Sequence, residues 1–459
     1  MTRKLIYALL LAISGSTTQA QNPELSAWLI NSTGLTASHY VNGNSNVIVD
    51  ADSANVQTVL YSANWVYVRT KGLPAYPTGP FLDGNPSLAT NQDAIFKIPR
   101  LPVQNTGTPT ATSGGNIGIF VNGVALFDYR DGVAWNANTN ALCGGPGNPP
   151  CPGGPNANMD WNRDAIVAER LGFDCSKGHP AMGNYHHHQN PSAFKLDLSV
   201  LSTICNLYDA DGLYTIDSTQ HSPLIGYAYD GFPIYGAYGY YNTTGGGGIV
   251  RMKSSYSLRN ITVRNTHYNG TAVTSGPNVS TTYPLGYFRE DYGYVAPTPS
   301  TPDYLDEHNG RFCVTPEYPG GTYAYFCTVD ANWNSAYPYA VGPTFYGVKT
   351  AAKVTSITEP VTVYTPSTSS IENNDPRFSQ VTIFPNPSGE FIAIQINDIN
   401  RSEVSVELFD MTGKLINTTS IHPGSTITYF DIRTLYNGEY IVRLNSDGNI
   451  VTRKISVSR

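Results

Sequence analysis

Gly118-Ile-Phe-Val-Asn-Gly-Val-Ala-Leu-Phe127 reads as a β-hairpin. Two short apolar arms meet at Asn122-Gly123, the kind of dipeptide that supplies the positive φ of a tight hairpin turn. The C-terminal segment carries the same grammar. Val404-Ser-Val-Glu-Leu-Phe-Asp410 leads into a Met-Thr-Gly-Lys turn and Leu415-Ile416, and Leu435 to Leu444 precedes a last strand, Lys454 to Val457. Apolar/polar alternation between turn signals predicts a small antiparallel sandwich there. Charged residues make up only 13% of the chain, against 32 Tyr, 43 Gly and 32 Pro, which suits a β-rich extracellular protein with long ordered loops. The expected fold class is therefore mainly β: a disulfide-stapled domain with short helices, followed by the small sandwich. One short helix is expected within Asp160 to Leu171, capped by Asn162 or Asp160. The net charge of −7 argues against a nucleic-acid partner, which would want a basic stripe.

The N-terminus reads as a secretory signal over residues 1–20. Arg3-Lys4 form the positive region, Leu5 to Ile13 the apolar core, and Thr18-Gln-Ala20 the small-residue cleavage site. No later run reaches eighteen apolar residues, so no transmembrane segment is expected. The main domain is placed at 21–347. A linker rich in Thr, Ser, Pro and Asn follows at 348–378, and the terminal module at 379–459.

All six cysteines fall in the main domain, an even number in an exported chain. Cys313 and Cys327 are equidistant from Gly320, so a hairpin turning at Pro319-Gly320-Gly321 would set them opposite one another. A disulfide there would contribute about 3 kcal/mol by chain entropy. Cys143 with Cys151 would pin the Gly-Pro-rich loop between them, leaving Cys175 with Cys205. The competing reading makes Cys175 a thiolate metal ligand beside His179.

Chemistry concentrates in Gly183-Asn-Tyr-His-His-His-Gln-Asn-Pro191. In an extended strand His186 and His188 share a face, and two adjacent imidazoles are half of a transition-metal site. His179 or His221 would complete it, with Asp230, Glu307 or His308 as an oxygen ligand, further ligand or base. Copper or zinc is the expected ion. Asp209-Ala-Asp-Gly212 offers a weaker calcium signal, since Leu207 and Ser218 stand where a full loop needs acids. No nucleophile elbow, His-Glu-x-x-His, phosphate loop or dinucleotide fingerprint is present. Glu169, Asp230 and Glu307 could serve glycosidase chemistry, yet no spacing singles out a pair.

Two resemblances add to this. Gly178-His179-Pro180, Tyr185-His186-His187-His188, Phe120-Val-Asn-Gly-Val124, His221-Ser-Pro with Tyr229-Asp-Gly-Phe-Pro233, and Asp306 to Arg311 with Gly321-Thr-Tyr-Ala-Tyr-Phe326 resemble the YHYH family across about 118–328. The resemblance implies a secreted or envelope domain with an HxH pair and brings no settled activity. His187 departs from the Tyr-His-Tyr-His motif. The later Gly-Thr-Tyr-Ala-Tyr-Phe aligns with Gly183 to His188 as a second copy in which Ala324 and Phe326 replace His186 and His188. Phe384-Pro-Asn-Pro-Ser-Gly-Glu390, the Asp-Met-Thr-Gly-Lys turn and Asn437-Gly-Glu-Tyr440 resemble the type A C-terminal sorting domain of the type IX secretion system, over 381–459. That implies recognition by the type IX machinery, passage through the periplasm of a Gram-negative bacterium, and a secreted or cell-surface product.

The leading expectation is thus a secreted or surface protein with a histidine-based metal site. The alternatives are a metal-dependent hydrolase or oxidase, and a non-enzymatic surface module that binds glycan or protein through exposed aromatics around Tyr227 to Tyr241. Converging histidines favour the first; an aromatic platform would favour the last.

Overall fold

The computed structural model describes residues 22–83, 88–145, 147–154, 159–192, 212–365, 381–396, 403–411, 413–446 and 449–459. The expected signal peptide at 1–20, the Asp209-Ala-Asp stretch and Cys205 lie outside them. The chain divides into two compact units, one ending at Tyr364 and one beginning at Thr365.

The first unit is built on two sheets. Strands β1 (Val56–Tyr61), β2 (Trp65–Thr70) and β3 (Ala94–Pro99) start one sheet. β4 (Asn116–Phe120), β5 (Ala125–Phe127), β6 (Gly178–Ala181), β7 (Asn184–His187), β8 (Leu224–Ala228), β9 (Pro233–Tyr235), β10 (Gly310–Cys313) and β11 (Thr322–Phe326) form the other. β12 (Ala352–Val354) and β13 (Thr362–Val363) then return to the first sheet, in the order β12-β3-β2-β1-β13. The linker expected from residue 348 therefore starts too early: its first part supplies both edge strands. Val59, Val66, Val68, Phe96 and Ile98 of one sheet share a core with Ile119, Ile225, Ile234 and Tyr325 of the other.

The eight-stranded sheet runs β6-β7-β5-β4-β8-β9-β11-β10 and is internally two-fold. β4 and β8 pair antiparallel at its centre, with Gly118 opposite Ala228 and Gly226 opposite Phe120. Outward, hairpin β4-β5 turns at Asn122-Gly123, and hairpin β8-β9 turns at Asp230-Gly231. Both glycines hold a positive φ, +83° and +90°. β7 then joins β5 in parallel, His187 facing Leu126, as β11 joins β9, Tyr325 facing Ile234. The outer hairpins share a register too: His179 faces His186 where Arg311 faces Ala324.

The duplication suggested by the sequence is thus a property of the whole sheet. It also explains why the Cys313–Cys327 expectation fails. The β10-β11 connection is longer than the Met182-Gly183 turn of its twin, and Cys313 faces Thr322. Cys327 lies past the far end of β11, so both are buried free thiols. Cys143 and Cys151 are bonded as expected. Cys175 is also in a disulfide, which removes it as a thiolate ligand.

The expected helix is one turn, Ala165–Ala168. Its cap is Asp164, whose side chain accepts from the Ile166 amide, rather than Asn162 or Asp160. Between strands, long loops carry much of the first unit.

The second unit contains a three-stranded and a four-stranded antiparallel sheet. Strand Val404–Asp410 buries Val404, Val406 and Leu408 and turns Ser405 outward, as its alternation requires. These residues pack with Ile392, Ile394, Phe430, Val442, Leu444 and Ile455 in a core of their own.

Candidate metal centre

The period of two in β7 decides which histidines meet. His186 and His188 face one side of the sheet and His187 the other. His187 is fully buried, with its Nε2 2.8 Å from the Tyr76 hydroxyl. Burial pushes its pKa down to about 3, so it is neutral and structural. On the opposite face the β6-β7 register places His179 directly beside His186.

The Nε2 atoms of His186 and His188 lie 3.1 Å apart, and those of His179 and His188 3.2 Å apart. All three ligand atoms fall within 4.8 Å of one another, and all three residues are buried. Two of the rings have fixed tautomers. His186 Nδ1 sits 2.8 Å from the Asn184 carbonyl and His188 Nδ1 2.6 Å from the Asp128 carbonyl. A carbonyl only accepts, so each Nδ1 carries a proton, and each ring, when neutral, presents an Nε2 lone pair. Phe127 stacks on His186 at 3.8 Å between ring centroids, and Phe173 meets His179 edge-on at 5.1 Å.

Glu169, just after the one-turn helix, closes one side. Its Oε2 is 3.2 Å from His179 Nε2 and 3.3 Å from His188 Nε2. Burial opposes charge on Glu169, but the hydrogen bonds and charges of His179 and His188 outweigh it and hold the carboxyl well below its usual range. Burial and the neighbouring His179 and His188 hold His186 well below the ordinary histidine range. At His188 burial is overcome by the bond to Glu169, which raises it. Lone pairs facing one another beside a carboxylate demand positive charge between them, from a proton or a metal ion. Spacings of 3.1–3.2 Å suit two nitrogens on a common ion at roughly 2.0–2.1 Å.

Other expected members lie elsewhere. The His221 ring packs on Tyr235, Tyr240 and Phe326, with Nδ1 2.7 Å from the Ser222 carbonyl. Those partners belong to the β9-β11 side, and β9 is four strand spacings, roughly 19 Å, from β7. Asp230 is buried and accepts from the Tyr325 hydroxyl (2.6 Å) and the amides of Gly347 (2.8 Å) and Phe232 (3.2 Å). It pins a turn. His308 Nδ1 meets Thr344 Oγ1 at 2.6 Å, and Glu307 accepts from the Tyr294 hydroxyl at 3.3 Å. None of them joins the triad. Nor do the aromatics around Tyr227 to Tyr241 make a platform, because Tyr227, Tyr229, Tyr235 and Tyr238 are core residues.

The second copy shows the same frame without the three histidines. Asp174 and Asp306 anchor matching loops: each Oδ1 accepts two amides, from Ser176 and Gly178 or from His308 and Gly310. Tyr185 and Tyr323 each donate to that aspartate. Where the first copy has His179, the second has Arg311, lying over the Phe326 ring at 5.7 Å. Its guanidinium donates to the backbone carbonyls of Tyr240, Tyr241 and Pro302.

Comparison with known families agrees with this architecture. The YHYH protein family model matches residues 95–338, more than half of the chain, and the chain belongs to that family. The match begins at β3, upstream of the motifs read from the sequence. Residues 382–458 match the secretion system C-terminal sorting domain, which marks the chain for type IX export. No curated protein matches the chain. Among the described residues no helix is long and apolar enough to cross a membrane.

Proposed function

We propose that this is an exported metal-binding protein whose His179, His186 and His188 hold one transition-metal ion, copper or zinc, with Glu169 at the fourth side. One observation carries the reading: the Nε2 atoms of His186 and His188 face each other at 3.1 Å while both Nδ1 protons are committed to carbonyls. Three imidazoles and a carboxylate are a donor set for these ions. The Asn184 and Asp128 carbonyls orient the rings, and Phe127 and Phe173 keep their surroundings apolar.

Glu169 is the group that opens the question of catalysis. Its side chain is 27% exposed while the histidines are nearly sealed, so the approach to the centre is from its side. A carboxylate there would either complete a closed site or act as base toward a water held at an open position. The open form supports a metal-dependent hydrolase or oxidase; the closed form supports metal storage or a structural ion. The N-terminal signal and the sorting domain together favour passage through the periplasm of a Gram-negative bacterium and delivery to the surface or medium.

Metal content by mass spectrometry on the purified chain tests the reading, beside the His186→Ala/His188→Ala double variant. About one equivalent of copper or zinc, absent from the variant, is the expected result. A chain that neither carries nor takes up metal makes the triad a proton-sharing structural cluster.

A further inference from the structure

A second concave site lies in the loops of the first unit, with a cavity volume of about 220 Å³. It is lined by Tyr256, Tyr268, Tyr292 and Tyr337, with Arg289 and Asp160 among its polar groups. Tyr292 and Tyr337 stack face to face, centroids 4.2 Å apart at 7°, and Tyr256 meets Tyr337 edge-on. Tyr268 is half exposed. Four phenol rings around a void of this size make a slot for one ring, since drug-sized ligands fill roughly 300–1,000 Å³.

The charges in the slot are unequally satisfied. Glu290 accepts from the Asn162 amide and side chain at 2.8 Å each and from Arg289 Nε. Asp160 accepts from the Thr274 amide at 2.9 Å, and His267 Nε2 lies 3.3 Å from the Asp160 carbonyl. A guanidinium has five N–H donors; among the described residues Arg289 donates through Nε to Glu290, and its Nη1 is buried without a partner. A desolvated guanidinium with unused donors calls for an acceptor, and a carboxylate offers the matching planar geometry.

We infer that this cleft binds a single acidic sugar ring, its carboxylate on Arg289 and its ring face on the tyrosines. Tyrosine supplies both stacking area and hydroxyl hydrogen bonds, the combination a sugar uses, and an exported protein meets such sugars outside the cell. The inference stands apart from the histidine triad and survives its failure.

Isothermal titration of the purified full chain with sodium glucuronate tests it, with glucose and inorganic phosphate as comparators. The expected result is one glucuronate per chain, with both comparators weaker by about tenfold or more, because each lacks the ring or the carboxylate. Arg289→Gln is expected to lower glucuronate affinity by about tenfold or more, and Arg289→Lys to keep part of it. Should Arg289→Gln fail to fold, Tyr268→Ala at the half-exposed rim is expected to weaken binding several-fold with an unchanged melting temperature. The inference is overturned by absence of glucuronate binding, by glucose binding equally well, or by phosphate binding equally well, which would mean a plain anion site. Undiminished binding to folded Arg289→Gln also overturns it.

Discussion

At the residue scale, three consecutive histidines divide into two jobs because side chains alternate along a strand. His186 and His188 face His179 and Glu169, while His187 faces Tyr76. Replacing any one of His179, His186 or His188 with Ala is expected to weaken metal binding by far more than the ~10–100-fold that follows loss of a mere orienting partner. His187→Ala is expected to keep the metal and to lose on the order of 3 kcal/mol of stability, from the cavity and the lost hydrogen bond to Tyr76. Chelator competition and urea titration read the two effects separately.

Asp230 makes a pH prediction of its own. Burial pushes it up to about 6, although Tyr325, Gly347 and Phe232 donate to it. In the unfolded chain it titrates near 3.9. A raised native value means the folded state holds a proton that the unfolded state has lost. Stability from this group is therefore full below about pH 4, falls as pH rises toward 6, and is level above. Melting curves across pH 4 to 7 are expected to show that slope in the parent and a shallower one in Asp230→Asn.

That His186 and His188 share a face was legible in the sequence because strand alternation is local. Glu169 was visible only as one acid among several, since it reaches the site from a separate loop ten positions ahead of His179. His221 misled for the converse reason: it is near in the chain and remote across the sheet.

At the element scale, the two-fold sheet offers an internal control. A Cβ on Gly178 would lie 2.4 Å from the Tyr185 hydroxyl, and one on Gly310 would lie 2.4 Å from the Tyr323 hydroxyl. Either clash must displace a tyrosine that bonds the loop aspartate, so each Gly→Ala change is expected to cost about 1–3 kcal/mol. Only Gly178→Ala is expected to weaken metal binding as well, since its β6 carries His179 and its partner β7 carries His186. Equal metal loss from both would contradict the assignment of the site to one half. Hairpins were readable from Asn122-Gly123 and from the alternation at Val404 to Asp410, where turn chemistry and period agree. Register in the β10-β11 hairpin was not, because symmetry of cysteines about Gly320 carries no information on where pairing starts. Pairing begins at Thr322, past the longer connection.

At the scale of the molecule, the two-fold sheet predicts one metal per chain, not two, because Arg311, Ala324 and Phe326 stand where His179, His186 and His188 stand in the other half. The sorting domain has its own core, so deletion of residues 366–459 is expected to leave metal content unchanged and to stop release into the medium. Fractionated cultures with metal analysis would check both halves of that statement. Composition placed the linker from residue 348, whereas the first compact unit runs to Tyr364. Thr-, Ser- and Pro-rich sequence around 350–364 looks like linker, yet its edge strands β12 and β13 pair through backbone hydrogen bonds that composition does not report.

The proposed metal sits among three histidine nitrogens. Anomalous diffraction from crystals of the metal-loaded chain, collected across the zinc and copper absorption edges, tests it most directly. One strong peak per chain is expected, within bonding distance of Nε2 of His179, His186 and His188. A peak at another place, a second peak by Arg311, or no peak from protein saturated with metal would contradict it.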